Sequence, residues 1–182
     1  MTDHVARCLL IALLASSPAV ASAADSPLPV VAAVNLDRYA GRWHEIARYP
    51  NRFERMCVGD VTATYVRNTD GTIAVVNECR KADGTRERVD GLARVVQAPA
   101  KLQVRFAPAW LSWLPLVWGD YWIVDLDPDY RYVIVGEPSR EYLWVLAREP
   151  AVDDDTWHTL YGKLPRLGYD PEKLVRNPGT TR

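Results

Sequence analysis

The sequence predicts an all-β protein: an eight-stranded up-and-down antiparallel β-barrel with one C-terminal α-helix packed outside. Three observations lead there. Segments of strand length recur at regular spacing, separated by short turn sequences such as Asn68-Thr69-Asp70-Gly71, Ala82-Asp83-Gly84 and Asp127-Pro128-Asp129. The last three segments are apolar on both faces, so their outer side must be covered. A stretch with helical periodicity follows them at once. With 182 residues and a formal net charge of −1, the chain fits one globular domain and carries no electrostatic footprint for nucleic acid. Seven Trp and nine Tyr against two Phe point to an interior whose rings keep a polar handle, as a wet-edged or ligand-lined space would. No internal repeat or second domain is visible.

Residues 1–23 have the pattern of a cleaved signal peptide: Arg7, an apolar run from Leu9 to Ala15, and Ala21-Ser22-Ala23 as a small-residue cleavage site. The run is too short to span a bilayer. Export is expected, with residues 24–33 a flexible linker and 34–182 the folded domain. Cleavage removes Cys8 and leaves Cys57 and Cys79 in an oxidising compartment.

The elements follow in order. Gly41 lets the chain turn into a first strand, about Gly41 to Arg48, in which Trp43 carries a large ring inward and Pro50 stops the ladder. Residues 50–58 form a long flap. A second strand, about Asp60 to Arg67, turns at Asp70-Gly71 into a third, Thr72 to Cys79. Cys57 and Cys79 flank the open ends of this hairpin, which favours a disulfide over two free thiols. Glu87 to Val96 is the fourth strand. Lys101 to Phe106 is the fifth, with Leu102, Val104 and Phe106 alternating inward. Gly119 to Leu126, Tyr130 to Gly136 and Glu141 to Arg148 complete the eight. Asp153-Asp154-Asp155 then offers an N-cap and acidic first turn, and Trp157, Leu160, Tyr161 and Leu164 share one helical face. Pro165 ends or kinks the helix. The tail from Tyr169 to Val175 is placed to pair with the first strand.

Three motifs together resemble the lipocalin signature: Gly41-x-Trp43 on the first strand, Asp129-Tyr130 in the turn between the sixth and seventh, and Arg148 ending the eighth. The runs "YAGRWHEIARYP…RFE" and "LDPDYRY…YLW…REP" are similar to the bacterial Blc-type, apolipoprotein D-like lipocalins, over roughly residues 34–178. The resemblance implies a calyx for a small hydrophobic ligand, a fatty acid or lysophospholipid, and Arg148 lying across Trp43 to close its floor. It also implies which residues of the two-sided strands line the calyx: Ala63 and Tyr65; Ile73, Val75 and Asn77; Tyr121 and Ile123; Tyr132 and Ile134; Tyr142, Trp144 and Leu146. Many Blc-type relatives are lipid-anchored. Here Cys8 precedes the apolar run, so the expectation is a soluble periplasmic or secreted protein, monomer or homodimer.

No residue pattern demands catalysis, a metal or a cofactor. Only His44 and His158 survive processing, and no Gly-x-Ser-x-Gly, His/Cys cluster or phosphate-binding loop occurs. Glu45, inward beside Trp43, is the carboxylate to watch: its bland role is a partner for a Tyr or Arg at the floor, its sharper one acid/base chemistry on a bound lipid. The proline-bounded segment 107–118, with Trp110, Trp113 and Trp118, falls at the open mouth. It would line the ligand portal, meet a membrane or partner, or fold back as a plug. A docking module with a filled barrel is the remaining alternative.

Overall fold

The computed structural model describes residues 26–180, so the cleaved segment expected over residues 1–23 lies outside the described residues. The Asn35 side chain accepts the backbone N–H groups of Asp37 and Arg38 and caps a single helical turn, α1 (Leu36–Tyr39). Gly41, at φ +97°, then swings the chain into β1 (Gly41–Arg48); a Cβ there would also come within 3.3 Å of an Arg148 guanidinium nitrogen. The strands that follow are β2 (Cys57–Arg67), β3 (Ile73–Lys81), β4 (Arg86–Ala98), β5 (Lys101–Arg105), β6 (Gly119–Leu126), β7 (Tyr132–Gly136) and β8 (Leu143–Ala147). Sequential neighbours pair antiparallel, and β8 pairs back onto β1, closing an eight-stranded up-and-down barrel. After α2 (Asp154–Lys163) the tail adds β9 (Val175–Arg176), outside the barrel, along Ala47 and Arg48 of β1.

The doubly apolar strands have a core on each side. Inside lie Trp43, Tyr65, Ile73, Val75, Leu102, Ile123, Val133, Val135 and Leu146. Outside, Ile46, Ala47, Val124, Ile134, Val145 and Ala147 meet Leu160 of α2 and Leu164 just beyond it. The helix starts where Asp153 accepts the Thr156 N–H at 2.7 Å, and past Lys163 it tightens into a 3₁₀ turn, Leu164–Leu167, that contains Pro165 and is closed by Gly168 at φ +78°. Leu160 and Leu164 are its buried residues, and Trp157 covers the edge with the Arg176 guanidinium 4.3 Å from its ring centre. Cys57 and Cys79 are joined by a disulfide with Cα atoms 5.6 Å apart. Closing a loop of that length contributes about 3 kcal/mol in the chain-entropy account.

Two expectations need correction. On β7 the register pairs Val133 with Leu146 and Val135 with Trp144, so these odd positions face the lumen. Tyr132 and Ile134, expected inward, lie under α2 instead. Both faces of β7 are apolar, and a slip of one residue exchanges them completely. Within the stretch expected as a flexible linker over 24–33, three side chains are packed: Leu28 is buried in the outer core, the Val31 N–H donates to the Ile123 carbonyl at 3.0 Å, and Val30 and Val31 cover the inner core.

Candidate ligand-binding site

The floor of the barrel is built around one guanidinium. Arg148 lies 3.9 Å from the Trp43 ring centre and donates to the carbonyls of Arg38, Tyr39, Ala40 and Arg42 at 2.6, 3.1, 2.9 and 2.9 Å. The Trp43 indole N–H donates to Tyr39 O at 2.8 Å. The chain around α1 is thereby held across the barrel end by charge-assisted hydrogen bonds to its backbone carbonyls. The β6–β7 turn completes this end. Asp127, rather than the exposed Asp129, anchors it: its carboxylate accepts the N–H groups of Asp129 and Arg131 and the Arg131 side chain. Those bonds, chiefly from the Arg131 side chain, hold the Asp127 carboxyl at about 2. Tyr130 sits at φ +60°, and its hydroxyl accepts the Asn35 N–H at 2.8 Å.

Above the floor the lumen has a polar and an apolar side. Tyr121 Oη lies 2.6 Å from Tyr39 Oη and 2.9 Å from Tyr65 Oη, a phenol triad spanning the barrel from α1 and β2 to β6. Burial raises all three above the ordinary phenol range, Tyr65 to about 12. Ile73, Val75, Leu102, Val104, Ile123, Val133 and Val135 make the apolar side. Asn77 stands opposite Ala63, its side-chain oxygen buried without a hydrogen-bond partner. Ala63, Val104, Tyr121 and Trp144 belong to the interior cluster, yet each keeps accessible surface.

Toward the mouth, a bulge in β1 changes which side chains face inward. Glu45 pairs with Leu146, and the register then shifts so that Ile46 and Ala47 both face α2 and Arg48 returns inward opposite Trp144. Glu45 and Arg48 therefore meet on one face, three residues apart, with Arg48 Nη1 2.8 Å from Glu45 Oε1. The Asn177 amide also donates to Glu45 Oε1, at 2.9 Å, and its oxygen accepts from Arg48 at 2.7 Å. From the flap, Glu54 reaches into the same cluster. Its Oε1 accepts the Trp144 indole N–H at 2.9 Å, and its Oε2 lies 3.2 Å from Arg48 Nε. Burial first, then the charge of Glu54 and a hydrogen bond to it, push the Glu45 carboxyl up to about 8. Glu54 Oε2 is buried and makes its ion pair with Arg48 without a hydrogen bond.

The mouth carries exposed apolar side chains. Trp110, Trp113 and Leu116 are 73%, 74% and 94% exposed, Trp110 and Leu116 on two 3₁₀ turns (Ala109–Leu111 and Pro115–Val117) and Trp113 between them. The plug alternative is excluded for these residues. Trp118 departs from the expected mouth position: it lies on the outer wall between Arg94 and Arg105, whose guanidinium carbons are 4.0 and 5.3 Å from its ring centre. Phe106 packs at the rim over Gly91, where a Cβ would come within 2.6 Å of its ring. Tyr142 stacks beside Trp144 at 5.9 Å and meets Phe53 of the flap at 5.6 Å.

The Lipocalin-like domain family matches residues 34–179. The chain is a lipocalin. It is 42% identical over 155 residues to temperature-induced lipocalin-1 of Arabidopsis thaliana, covering 83% of this chain and 82% of the relative. It is 34% identical over 182 residues to the outer membrane lipoprotein Blc of Escherichia coli K12, covering 96% and 99%. Among solved structures, insecticyanin from Manduca sexta superposes with a TM-score of 0.65 at 20% identity over 86% of this lipocalin and 91% of that chain, a likeness of fold. Lipocalins are known for binding and transporting small hydrophobic molecules.

Sequence reasoning placed Ala63, Tyr65, Ile73, Val75, Leu102, Val104, Tyr121, Ile123 and Trp144 in the interior cluster, where this lipocalin has them. It missed Arg48 and Glu54. Strict alternation turns Arg48 outward, and only the bulge brings it back; nothing in the local sequence marks that bulge.

Proposed function

We propose that this lipocalin binds a small amphiphile with an acyl tail, a fatty acid or lysophospholipid, and carries or stores it in the cell envelope. The observation that carries the reading is the half-buried state of Ala63, Val104, Tyr121 and Trp144. Side chains that face into a closed barrel and still keep accessible surface border space rather than packing. The apolar wall suits the tail, and the mouth-end polar groups suit the head. Each buried CH₂ contributes about 0.8 kcal/mol, so micromolar affinity needs only a medium chain. The relatives named outer membrane lipoproteins support an envelope location. Because Cys8 precedes the apolar run, our reading is a soluble periplasmic or secreted form without a lipid anchor.

Organic extraction of the purified protein followed by mass spectrometry tests this. A stoichiometric acyl compound is expected. An empty extract, with no quenching of Trp fluorescence by added lipids, would sink the proposal and favour a docking module.

The exposed Trp110, Trp113 and Leu116 favour contact of the mouth with a lipid surface during loading. Replacing Trp110 and Trp113 together by Ser is expected to weaken binding to phospholipid vesicles about tenfold while changing stability by less than about 1 kcal/mol. Co-sedimentation and a thermal melt read the two effects separately. An equal loss in both would argue against a surface role.

A further inference from the structure

The mouth-end cluster contains a carboxylate held in an unusual way. Its partners belong to the barrel wall: the guanidinium of Arg48 on β1 as an ion pair, the indole N–H of Trp144 on β8 as a donor, and beside them Glu45 on β1. The carboxylate they hold, Glu54, belongs to none of these strands. It hangs from the flap between β1 and β2, which otherwise shows solvent the side chains of Phe53 and Met56. Within the flap, the Asn51 amide donates to the Glu54 carboxylate at a long 3.3 Å. A guanidinium and an indole N–H on the wall are therefore met by a carboxylate that comes from the connecting loop and not from the wall itself.

We infer that Arg48 and Trp144, with Glu45 beside them, form a recognition site for the carboxylate head of an acyl ligand, and that Glu54 is its internal stand-in, displaced when the ligand enters. The inference rests on the reading of the calyx as an acyl-chain site and narrows the head group to a carboxylate. Three features support it. Trp144 is both a donor to the carboxylate and part of the lumen wall, so a head on Arg48 leaves its tail directed into the apolar cluster. The guanidinium and indole N–H suit two acceptor oxygens on one planar group. Arg48 is enclosed between Glu45, Glu54 and Asn177, so removing Glu54 without a replacement anion would leave a buried cation short of its partner, which selects a charged head over a neutral one.

The test compares cis-parinaric acid with its methyl ester, both read by their own fluorescence on the full mature protein. Wild type is expected to bind the acid about tenfold more tightly than the ester, the equivalent of one charge-assisted hydrogen bond. Glu54→Ala removes the competitor and is expected to tighten acid binding about tenfold further and to widen the ratio of acid to ester affinity, with a thermal melt reporting that the barrel is intact. Arg48→Met is expected to bring the acid down to the affinity of the ester. Equal affinity of acid and ester in both wild type and Glu54→Ala would overturn this inference and leave the calyx reading standing. Failure of wild type to bind either probe would overturn both. Because the wild-type comparison needs no variant, a misfolded Arg48→Met leaves the outcome decided.

Discussion

Arg148→Ala is expected to destabilise this lipocalin by about 4 kcal/mol and lower its melting temperature by roughly 10 °C, with ligand affinity nearly unchanged. The magnitude follows from what the guanidinium touches. It donates to four successive parts of the floor chain, the carbonyls of Arg38, Tyr39, Ala40 and Arg42, and lies over the fully buried Trp43 ring. Truncation leaves those carbonyls to find water and strips the indole face of its cation. Arg148 is only half-buried, so the estimate sits well below the sum of its separate contacts. Ligand affinity is spared because every one of these donors points at backbone of the closed end and none into the lumen. Thermal melts with a lipid titration on the same samples check both halves. An unchanged melting temperature would mean that α1 closes the barrel without Arg148. Arg148→Lys should recover little, since one ammonium cannot reach a spread of carbonyls that a planar fork reaches.

The barrel itself was legible because its information is local. Turn residues at Asp70-Gly71 and Asp83-Gly84, period-2 alternation on β5 and a helical stripe after Asp153 each report on their own few residues, and all agree with the observed elements. The disulfide was legible for the same reason: two cysteines at the open ends of one hairpin. What failed was any property set by register or by a break in it. Tyr132 and Ile134 came out on the wrong face because both faces of β7 are apolar and the choice is made by α2, distant in sequence. Arg48 and Glu54 were invisible because one bulge in β1 and one loop conformation bring them to Trp144. Trp118 leaves the mouth because Arg94 and Arg105, on β4 and β5, offer its ring a cationic seat on the outer wall. The signature residue Asp129 proved a neighbour of the working one, Asp127, which takes the turn's N–H groups and Arg131.

The second large effect expected is on the pH dependence of stability, and Glu45→Gln isolates it. Burial, with the charge of Glu54 and a hydrogen bond to it, raises the Glu45 carboxyl to about 8 in the folded protein, against an ordinary value of 4.5. Between those two values the folded state keeps a proton that the unfolded chain releases. Stability contributed by this group is therefore complete below about 4.5 and is lost as pH rises toward 8, by at most about 1.4 kcal/mol per pH unit. Asp127 acts in the opposite sense. Its carboxyl is lowered to about 2, so its contribution is complete above the ordinary carboxylate range and is lost as pH falls through that value. Both contributions are present together in mildly acidic solution. Glutamine at position 45 reproduces the protonated acid: its carbonyl can accept from Arg48 and Asn177 as Glu45 Oε1 does, and its amide can donate toward Glu54. The variant is expected to match wild type near pH 5, to exceed it by on the order of 3 kcal/mol near pH 8, and to lose the downward slope between them. Urea unfolding at a series of pH values measures this. A slope that survives in Glu45→Gln would assign the proton to another group. Loss of stability at every pH would show that Glu45 is ionised in the fold and that its charge, not its proton, is what Arg48 needs.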